Sequence, residues 1–255
     1  MQEKPGLEET VELMKDLRRR CEWDAAQTHE SLRPYLLEEA YEVDDAIRSG
    51  NDTLLREELG DLLLQVLFHS VVAEERGAFD FGDVAKGFLQ KMKARHPHLY
   101  HGGERQSWEG MKAKKRDSIV DGLPADLPSL HRAFRLQDRA AGVGFDWPDA
   151  HGAAEKVDEE LAEVRDELAR GAQPSPHGVP DERVEEELGD LLFAVVNLSR
   201  KLGVEPEAAL RRANEKFTTR FDAVERALIA RGRSLSEASL EEMEAEWQRV
   251  KETLP

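Results

Sequence analysis

The sequence predicts an all-α protein built from two homologous helical units. Apolar residues recur at steps of three and four along several segments, which is the period of an amphipathic helix. None of these segments shows the sustained alternation of apolar and polar residues that is typical of a half-buried strand. A carboxylate-rich pattern also occurs twice with its parts in the same order, and such an ordered repeat indicates duplicated units.

Three helices are predicted in the first half of the chain. The first spans residues 32–47, with Pro34 near its first turn, where a missing amide donor costs nothing. A polar turn follows, and the second helix covers residues 53–75. The third covers residues 83–95 and ends at a proline that cannot continue it.

The middle of the chain has the composition of a junction, because glycines and prolines are frequent between residues 102 and 128. A short helical segment at residues 130–141 follows. We therefore expect an N-terminal unit at residues 6–120, a connecting segment at 121–141 and a C-terminal unit at 142–255.

Charge excludes some classes of partner. The chain has 36 Lys and Arg against 53 Asp and Glu, a net charge of −17. Such a surface repels nucleic acid and anionic membranes, so we expect neither as a partner. A phosphorylated substrate would need divalent cations to offset the repulsion. The polar N-terminus, the single cysteine and the absence of a long apolar stretch predict a cytoplasmic protein without a signal peptide.

Two acidic motifs make up the repeated pattern. Each half contains Glu-Glu-x-x-Glu followed, one helix later, by Glu-x-x-Asp. The motif residues are Glu38, Glu39, Glu42, Glu58 and Asp61 in the first half, and Glu159, Glu160, Glu163, Glu187 and Asp190 in the second. The interval between the motifs is longer in the second half, and the extra length falls in the Pro- and Gly-rich residues 171–180.

These motifs predict a metal site in each half. Residues three or four apart share a helix face, so two antiparallel helices would bring both carboxylate pairs together. Carboxylates without histidine favour Mg²⁺ or Mn²⁺ over iron or zinc. The alternative is a set of solvated helix faces. Against it, Asp61 and Asp190 lie in apolar segments, where an ionised carboxylate is costly unless it is paired or metal-bound.

Basic residues recur in step with the acidic motifs. Lys91 and Arg95 share one helix face, and Lys216 and Arg220 repeat their spacing. We expect these pairs to bind phosphate. A tryptophan follows each pair, Trp108 or Trp247, for which stacking on a base and packing at a helix end both remain open.

The remaining nucleophilic or metal-binding side chains are not expected to act in catalysis. Cys21 follows no activating pattern and lies beside a glutamate, which raises a thiol pKa. His69 is expected to be a core or surface histidine. His96, His98 and His101 are expected to form a polar tract near a loop.

With these motifs, the sequence resembles the MazG family of nucleoside triphosphate pyrophosphohydrolases, in its long form with two units. Three further stretches carry the resemblance, namely Trp23-Asp24-x-x-Gln27-Thr28-His29, Arg95-His96-Pro97-His98 and Val143-Gly144-Phe145-Asp146-Trp147. The family pattern at residues 35–37 is kept. Glu22 departs from it, because the family usually has proline before this tryptophan.

The resemblance implies Mg²⁺-dependent hydrolysis of nucleoside triphosphates to monophosphate and pyrophosphate, by a homodimer whose helices complete the bundles. It implies that the C-terminal unit is the better attested active one. Its implied metal ligands are Glu160, Glu163, Glu187 and Asp190, and its implied nucleotide contacts are Lys156, Glu159, Glu186, Lys216, Arg220 and Trp247. The N-terminal counterparts Glu39, Glu42, Glu58, Asp61, Lys91 and Arg95 are all present.

The expected mechanism uses a carboxylate outside the metal set, Glu159 or Glu38, to orient or deprotonate the attacking water. Mn²⁺ is a second candidate metal. Two other functions stay open, a non-catalytic nucleotide sensor or scaffold and a narrower pyrophosphohydrolase acting on deoxyuridine triphosphate or phosphoribosyl-ATP. Relatives of the narrower kind have one unit, so the duplication argues against it.

Overall fold

The structure is a computed structural model that describes residues 6–100, 102, 118, 120–171 and 181–253. Every regular element among them is a helix, which confirms the predicted all-α class. Contacts divide the chain into two compact units, Met1–Arg105 and Gln106–Pro255. Within the described ranges, no helix has both the length and the apolar composition to cross a membrane.

The N-terminal unit is organised around a long helical hairpin. Its helices are α1 (Leu7–Arg20), α2 (Glu22–Ala26), α3 (His29–Ser49), α4 (Asp52–Glu75), α5 (Phe81–Arg95) and α6 (Pro97–Tyr100). A two-residue connection joins α3 to α4, and Gly50 provides its left-handed conformation at φ 65°. So short a connection turns the chain back, and α3 and α4 pack along each other.

Helix α3 begins three residues earlier than expected, because Thr28 and Ser31 form a reciprocal capping box. Pro34 is therefore the sixth residue of α3 and not a first-turn residue. Helix α5 likewise begins before residue 83, since the Asp80 side chain accepts a hydrogen bond from the Asp83 amide.

The core of this unit joins α1, α3 and α4. Its buried apolar residues are Met14, Leu32, Leu67, Phe68, Val71 and Val72. Most of them lie in the second half of α4, so this half is held inside the unit. The first half of α4, which carries the acidic motif, is left on the surface.

The C-terminal unit repeats the hairpin. Its helices are α7 (Ser129–Ala141), α8 (Ala150–Ala169), α9 (Glu182–Lys201), α10 (Pro206–Ala230) and α11 (Leu240–Thr253). Helices α8 and α9 pack against each other as α3 and α4 do, but 12 residues, 170–181, separate them. Of these, residues 172–180 lie outside the described part.

Helix α7 falls in the segment 121–141 that we expect to connect the units. It packs against α9 and α10 within the C-terminal unit. Gln137 is buried and donates to the Phe193 carbonyl of α9 at 2.8 Å. The boundaries 6–120, 121–141 and 142–255 themselves stay a prediction.

Candidate functional site

In the C-terminal unit, three carboxylates converge between α8 and α9. Glu160 and Glu163 come from α8 and Glu187 comes from α9, and one oxygen of each lies within 4.8 Å of the others. The convergence depends on the helical step of three residues within α8 and on the side-by-side packing of the two helices. Three oxygens this close can ligate one divalent cation.

Lys156 is the cation nearest to this group on α8. Its Nζ lies 2.8 Å from Glu159 Oε1 and 2.6 Å from Glu160 Oε1. The hydrogen bond from Lys156 lowers the pKa of Glu160, although burial opposes the shift. Glu163 shows the opposite shift, since its hydrogen bond to Glu160 raises the pKa of Glu163. The hydrogen bond between the two glutamates thus shifts their pKa values in opposite directions.

A metal ion fits this chemistry. Glu160 is only 5% exposed, and its Oε2 atom is buried without a hydrogen-bond partner among the described residues. A buried carboxylate oxygen of this kind is costly unless a cation satisfies it. The donor set contains oxygen alone, which suits Mg²⁺ or Mn²⁺.

The N-terminal unit places a matching group between α3 and α4. One oxygen each of Glu39, Glu58 and Asp61 lies within 4.8 Å of the others. Partial burial, and then the charges of Asp61 and Glu42, raises the pKa of Glu39. Desolvation, and then the Glu42 charge, raises the pKa of Glu58. Desolvation and mutual repulsion both disfavour the ionised carboxylates here, and a divalent cation would offset both.

The two groups differ in membership, since Glu163 has no counterpart in the N-terminal group and Asp61 has none in the C-terminal group. They also differ at one neighbouring position. Glu38 to Glu42 match Glu159 to Glu163, so the counterpart of Lys156 is Tyr35. Tyr35 makes an edge contact with Trp23, with ring centroids 6.2 Å apart. The N-terminal group therefore lacks the lysine that faces the C-terminal carboxylates.

Asp61 and Asp190 are both exposed, which corrects the expectation that they lie in apolar surroundings. The reason is that their apolar neighbours are exposed as well, with Leu59 at 49%, Leu188 at 43% and Leu192 at 56%. Asp61 belongs to the N-terminal carboxylate group. Asp190 lies three residues after Glu187 on the same helix but is not one of the three convergent residues.

The predicted phosphate ligands lie on other helices. Lys91 and Arg95 are on α5, while Lys216 and Arg220 are on α10. Both lysines are exposed and both arginines are half-buried. Glu38, Glu159 and Glu186 are exposed on the carboxylate hairpins. The roles of all these residues stay predictions.

The structure favours packing for Trp247. This ring packs on the buried cluster of Val224, Leu228 and Val250, and its centroid lies 5.3 Å from that of Phe217. Packing does not exclude a nucleotide contact, so the predicted contact stays open. Trp108 and His101 lie outside the described residues.

Sequence analysis missed a contact of His69. Its ring stacks on that of His29, with centroids 5.1 Å apart and Nδ1 atoms 2.8 Å apart. Arg76 lies 2.9 Å from His29 Nε2. Forty residues separate the two histidines along the chain, so no local pattern could have found the pair.

Comparison with known proteins agrees with this duplicated site. A family model described as a MazG nucleotide pyrophosphohydrolase domain matches residues 27–100 and again 151–224. The nucleoside triphosphate pyrophosphohydrolase/pyrophosphatase MazG of Thermotoga maritima is 44% identical, over 96% of this chain and 95% of its own. The nucleoside triphosphate pyrophosphohydrolase of Escherichia coli K12 is 42% identical, over 94% of each chain. With two matches to the family model and full-length similarity of this degree, the chain belongs to the MazG family.

Proposed function

We propose that the chain hydrolyses nucleoside triphosphates to nucleoside monophosphate and pyrophosphate with Mg²⁺, and that Mn²⁺ can replace it. The convergence of Glu160, Glu163 and Glu187 around an unpaired buried oxygen is the observation that carries the proposal. Two relatives that match nearly the whole chain bear the name of this activity. The high net negative charge also requires cations at any site for a triphosphate.

The three convergent glutamates would hold the metal, with Asp190 as a further ligand one turn along α9. When bound, the metal would neutralise phosphate charge and lower the pKa of a coordinated water. Glu159, exposed beside the group, would accept the proton of the attacking water. The water oxygen bonds to the α-phosphorus, the bond from that phosphorus to the bridging oxygen breaks, and pyrophosphate leaves. Glu38 is the corresponding base in the N-terminal unit.

Lys156 supports assigning most of the chemistry to the C-terminal unit. It already lies within 3 Å of two carboxylates there, and it can turn to a phosphate when a metal takes over the charge of Glu160. Tyr35 cannot do this in the N-terminal unit. Glu186, Lys216, Arg220 and Trp247, with Lys91 and Arg95 in the N-terminal unit, are the proposed nucleotide contacts. Among them, Lys216 and Arg220 would stabilise charge on the leaving pyrophosphate.

We also propose that the protein is a cytoplasmic homodimer. Apolar residues of the carboxylate hairpins are exposed, among them Leu37 at 62%, Tyr41 at 53% and Leu192 at 56%. Exposed apolar faces of this kind are typical of interfaces between chains. Pairing of two hairpins would cover them and complete a helical bundle.

Substitution of Glu160 tests the assignment. Glu160→Gln keeps the shape of the side chain but removes the charge that a cation requires. We expect kcat/KM at saturating Mg²⁺ to fall at least about a hundredfold, because loss of an outer partner alone costs ten- to a hundredfold. The value of kcat/KM is measured from pyrophosphate release with a panel of nucleoside triphosphates, at enzyme concentrations far below those of the substrate. Asp222→Asn is the matched control, since Asp222 forms an exposed ion pair on α10.

The outcomes separate the alternatives. Wild-type activity in Glu160→Gln would contradict the C-terminal assignment. Stoichiometric nucleotide binding without pyrophosphate release would support the sensor function, and release from deoxyuridine triphosphate or phosphoribosyl-ATP alone would support the narrower enzyme. The pair Glu39→Gln and Glu58→Gln should leave most of the activity if the C-terminal unit is the main catalyst.

A further inference from the structure

Two segments singled out in the sequence have no part in the proposed chemistry. Residues 23–29 lead into α3, and residues 143–147 lie shortly before α8. Each segment therefore precedes the helix that carries the Glu-Glu-x-x-Glu motif of its unit. In both units, contacts link this segment to the C-terminal end of the other carboxylate helix, α4 or α9.

In the C-terminal unit, Asp146 makes this link. Its Oδ2 accepts hydrogen bonds from Arg200 Nη1 at 3.2 Å and from Lys201 Nζ at 3.2 Å, and Arg200 Nη2 donates to its Oδ1. Arg200 and Lys201 are the last two residues of α9, and their side chains are only 11% and 14% exposed. Partial burial alone would raise the pKa of Asp146, but these hydrogen bonds hold that pKa below its ordinary value.

Trp147 extends the link to α8. Its carbonyl accepts from Lys201 Nζ at 2.6 Å, and its amide donates to Asp146 Oδ1 at 2.9 Å. The indole lies against the first turn of α8, where a Cβ on Gly152 would be 2.7 Å from a ring carbon. A side chain at position 152 would thus displace the ring. Asp146, Trp147, Arg200 and Lys201 form what we call the C-terminal clamp.

The N-terminal unit has a link of different composition. Arg18 on α1 donates to the backbone carbonyls of Asp24 and Gln27, the latter at 3.0 Å. The same guanidinium forms a bidentate pair with Glu75, the last residue of α4, with Nε at 2.9 Å from Oε1. The Arg18 side chain is 8% exposed. Arg18, Asp24, Gln27 and Glu75 form the N-terminal clamp.

His29 adds a direct contact in the same place. It is the first residue of α3, and it contacts His69 within the last two turns of α4 and Arg76 just after its end. The two units therefore join the same two helix ends through an arginine–carboxylate pair, with the carboxylate on the helix end in one unit and the arginine there in the other. Opposite arrangements of one pairing at the same place indicate that the geometry matters and not the particular positions of the charges.

The geometry that the clamps fix is the axial alignment of the two carboxylate helices. If one helix shifts its register by one residue against the other, each position moves by about 1.5 Å along the axis and by about 100° around it. Either change would separate Glu160 and Glu163 from Glu187. In the C-terminal unit 12 residues, 170–181, separate the two helices, so we assign their alignment to the clamp. In the N-terminal unit the two-residue connection already restrains such a shift.

We propose that the Val143–Trp147 segment is a positioning device, in which Asp146 fixes the end of α9 against the start of α8 and so holds the metal ligands in place. Arg18 has the equivalent role in the N-terminal unit, where the two-residue connection between α3 and α4 also holds the two helices in alignment. This inference rests on the proposed function, because it assigns the carboxylate groups to a metal.

Mn²⁺ binding to the full-length protein tests the proposal without any turnover. Free Mn²⁺ is measured by electron paramagnetic resonance during a titration, which separates binding sites into classes of different affinity. The class lost in Glu187→Gln is the C-terminal class, and the class lost in Glu58→Gln is the N-terminal class. We expect Asp146→Asn to weaken the C-terminal class about ten- to a hundredfold and to leave the N-terminal class unchanged. Arg18→Met should weaken the N-terminal class by a smaller factor, because of the two-residue connection.

Two further variants separate positioning from general stability. Lys201→Met keeps the Asp146–Arg200 pair and should weaken Mn²⁺ binding less than Asp146→Asn does. In the Glu187→Gln background, Asp146→Asn should add no further loss, because the site that it positions is already gone. Asp222→Asn, which removes an exposed ion pair within α10, should change neither class.

The outcomes are decisive. Unchanged Mn²⁺ binding in Asp146→Asn would overturn the proposal, as would an equal loss in both site classes, which would indicate global destabilisation. If Asp146→Asn loses Mn²⁺ binding only at the C-terminal site, the clamp is supported. If the wild-type protein at the same time releases no pyrophosphate, the proposed function is overturned while the clamp stands. A wild-type protein that binds no Mn²⁺ would overturn both.

Discussion

Lys156 and Tyr35 occupy matching positions beside the two carboxylate groups and give them different electrostatics. In the C-terminal unit, the lysine lies within hydrogen-bonding distance of Glu159 and Glu160. In the N-terminal unit, the carboxylates repel one another, and the pKa values of Glu39 and Glu58 are raised. Lys156 thus offsets part of the carboxylate charge in the C-terminal unit, and Tyr35 offers no such charge in the N-terminal unit.

This difference predicts a gain of function. Tyr35→Lys in the Glu187→Gln background should raise the residual pyrophosphate release about tenfold or more, since one well-placed charge donor contributes at least that much to a charged transition state. Initial rates at saturating Mg²⁺ measure the effect. Glu30→Lys, which places a lysine on an exposed part of the same helix away from the acidic motif, is the control and should change nothing. Equal rates for both lysine variants would contradict the argument.

The raised pKa values also predict a pH dependence of stability. Because Glu39 and Glu58 bind protons more tightly in the folded state, their contribution is fully present below the ordinary glutamate value of 4.5. It is lost as pH rises through their raised folded values. Without metal, the melting temperature of the N-terminal unit should therefore fall over this range relative to the Glu39→Gln and Glu58→Gln double variant.

Mn²⁺ should remove that fall in wild-type protein, since a bound cation stabilises the ionised carboxylates. Differential scanning calorimetry with Mn²⁺ or chelator, across a pH series, measures both effects. A difference between wild type and double variant that does not change with pH would show that the carboxylates do not repel each other in the folded protein.

At the scale of the elements, α4 and α9 each have their buried residues in the second half and their acidic motif in the first half. In α4, the buried residues begin at Gln65, after the acidic motif has ended at Asp61. The buried half anchors the helix, and the exposed half presents its carboxylates. The helix can therefore carry several like charges without placing them in the core.

Core packing predicts where the N-terminal unit is most sensitive to substitution. Leu32 is 1% exposed between α1 and α4, so Leu32→Ala should lower the free energy of unfolding by about 2 to 5 kcal/mol. Leu13→Ala, at a residue that is 58% exposed on α1, should change it by less than about 0.5 kcal/mol. Urea unfolding monitored by circular dichroism measures both. Similar losses for the two variants would contradict the assigned core.

The helices predicted at residues 32–47, 53–75, 83–95 and 130–141 are present, because apolar periodicity is a local property of the sequence, whereas α1 and α2 were not predicted. The predicted span 53–75 differs from α4 by one residue at its start. The start of α3 was predicted three residues late, since Thr28 and Ser31 cap the helix through side chains that carry no periodicity. The acidic motifs were likewise recognisable from spacing alone, and their convergence followed from the packing of adjacent helices.

Other properties of the site depend on contacts that no local pattern contains. Asp146 and Arg200 are 54 residues apart in the sequence, and His29 and His69 are 40 apart. The exposure of Asp61 and Asp190 was also not predictable, because an apolar segment does not reveal whether its partner surface belongs to the same chain. The proposed homodimer would supply that partner surface.

At the scale of the whole molecule, duplication creates a folding problem that the clamps address. Tandem homologous units risk misassembly, in which an element of one repeat pairs with the other repeat. Here the two clamps have opposite polarity. The end of α9 is basic, with Arg200 and Lys201 facing an acidic segment, whereas the end of α4 carries Glu74 and Glu75, which face basic residues of α1. If α4 took the place of α9, Asp146 would face Glu75, so we expect repulsion between like charges to disfavour the wrong pairing.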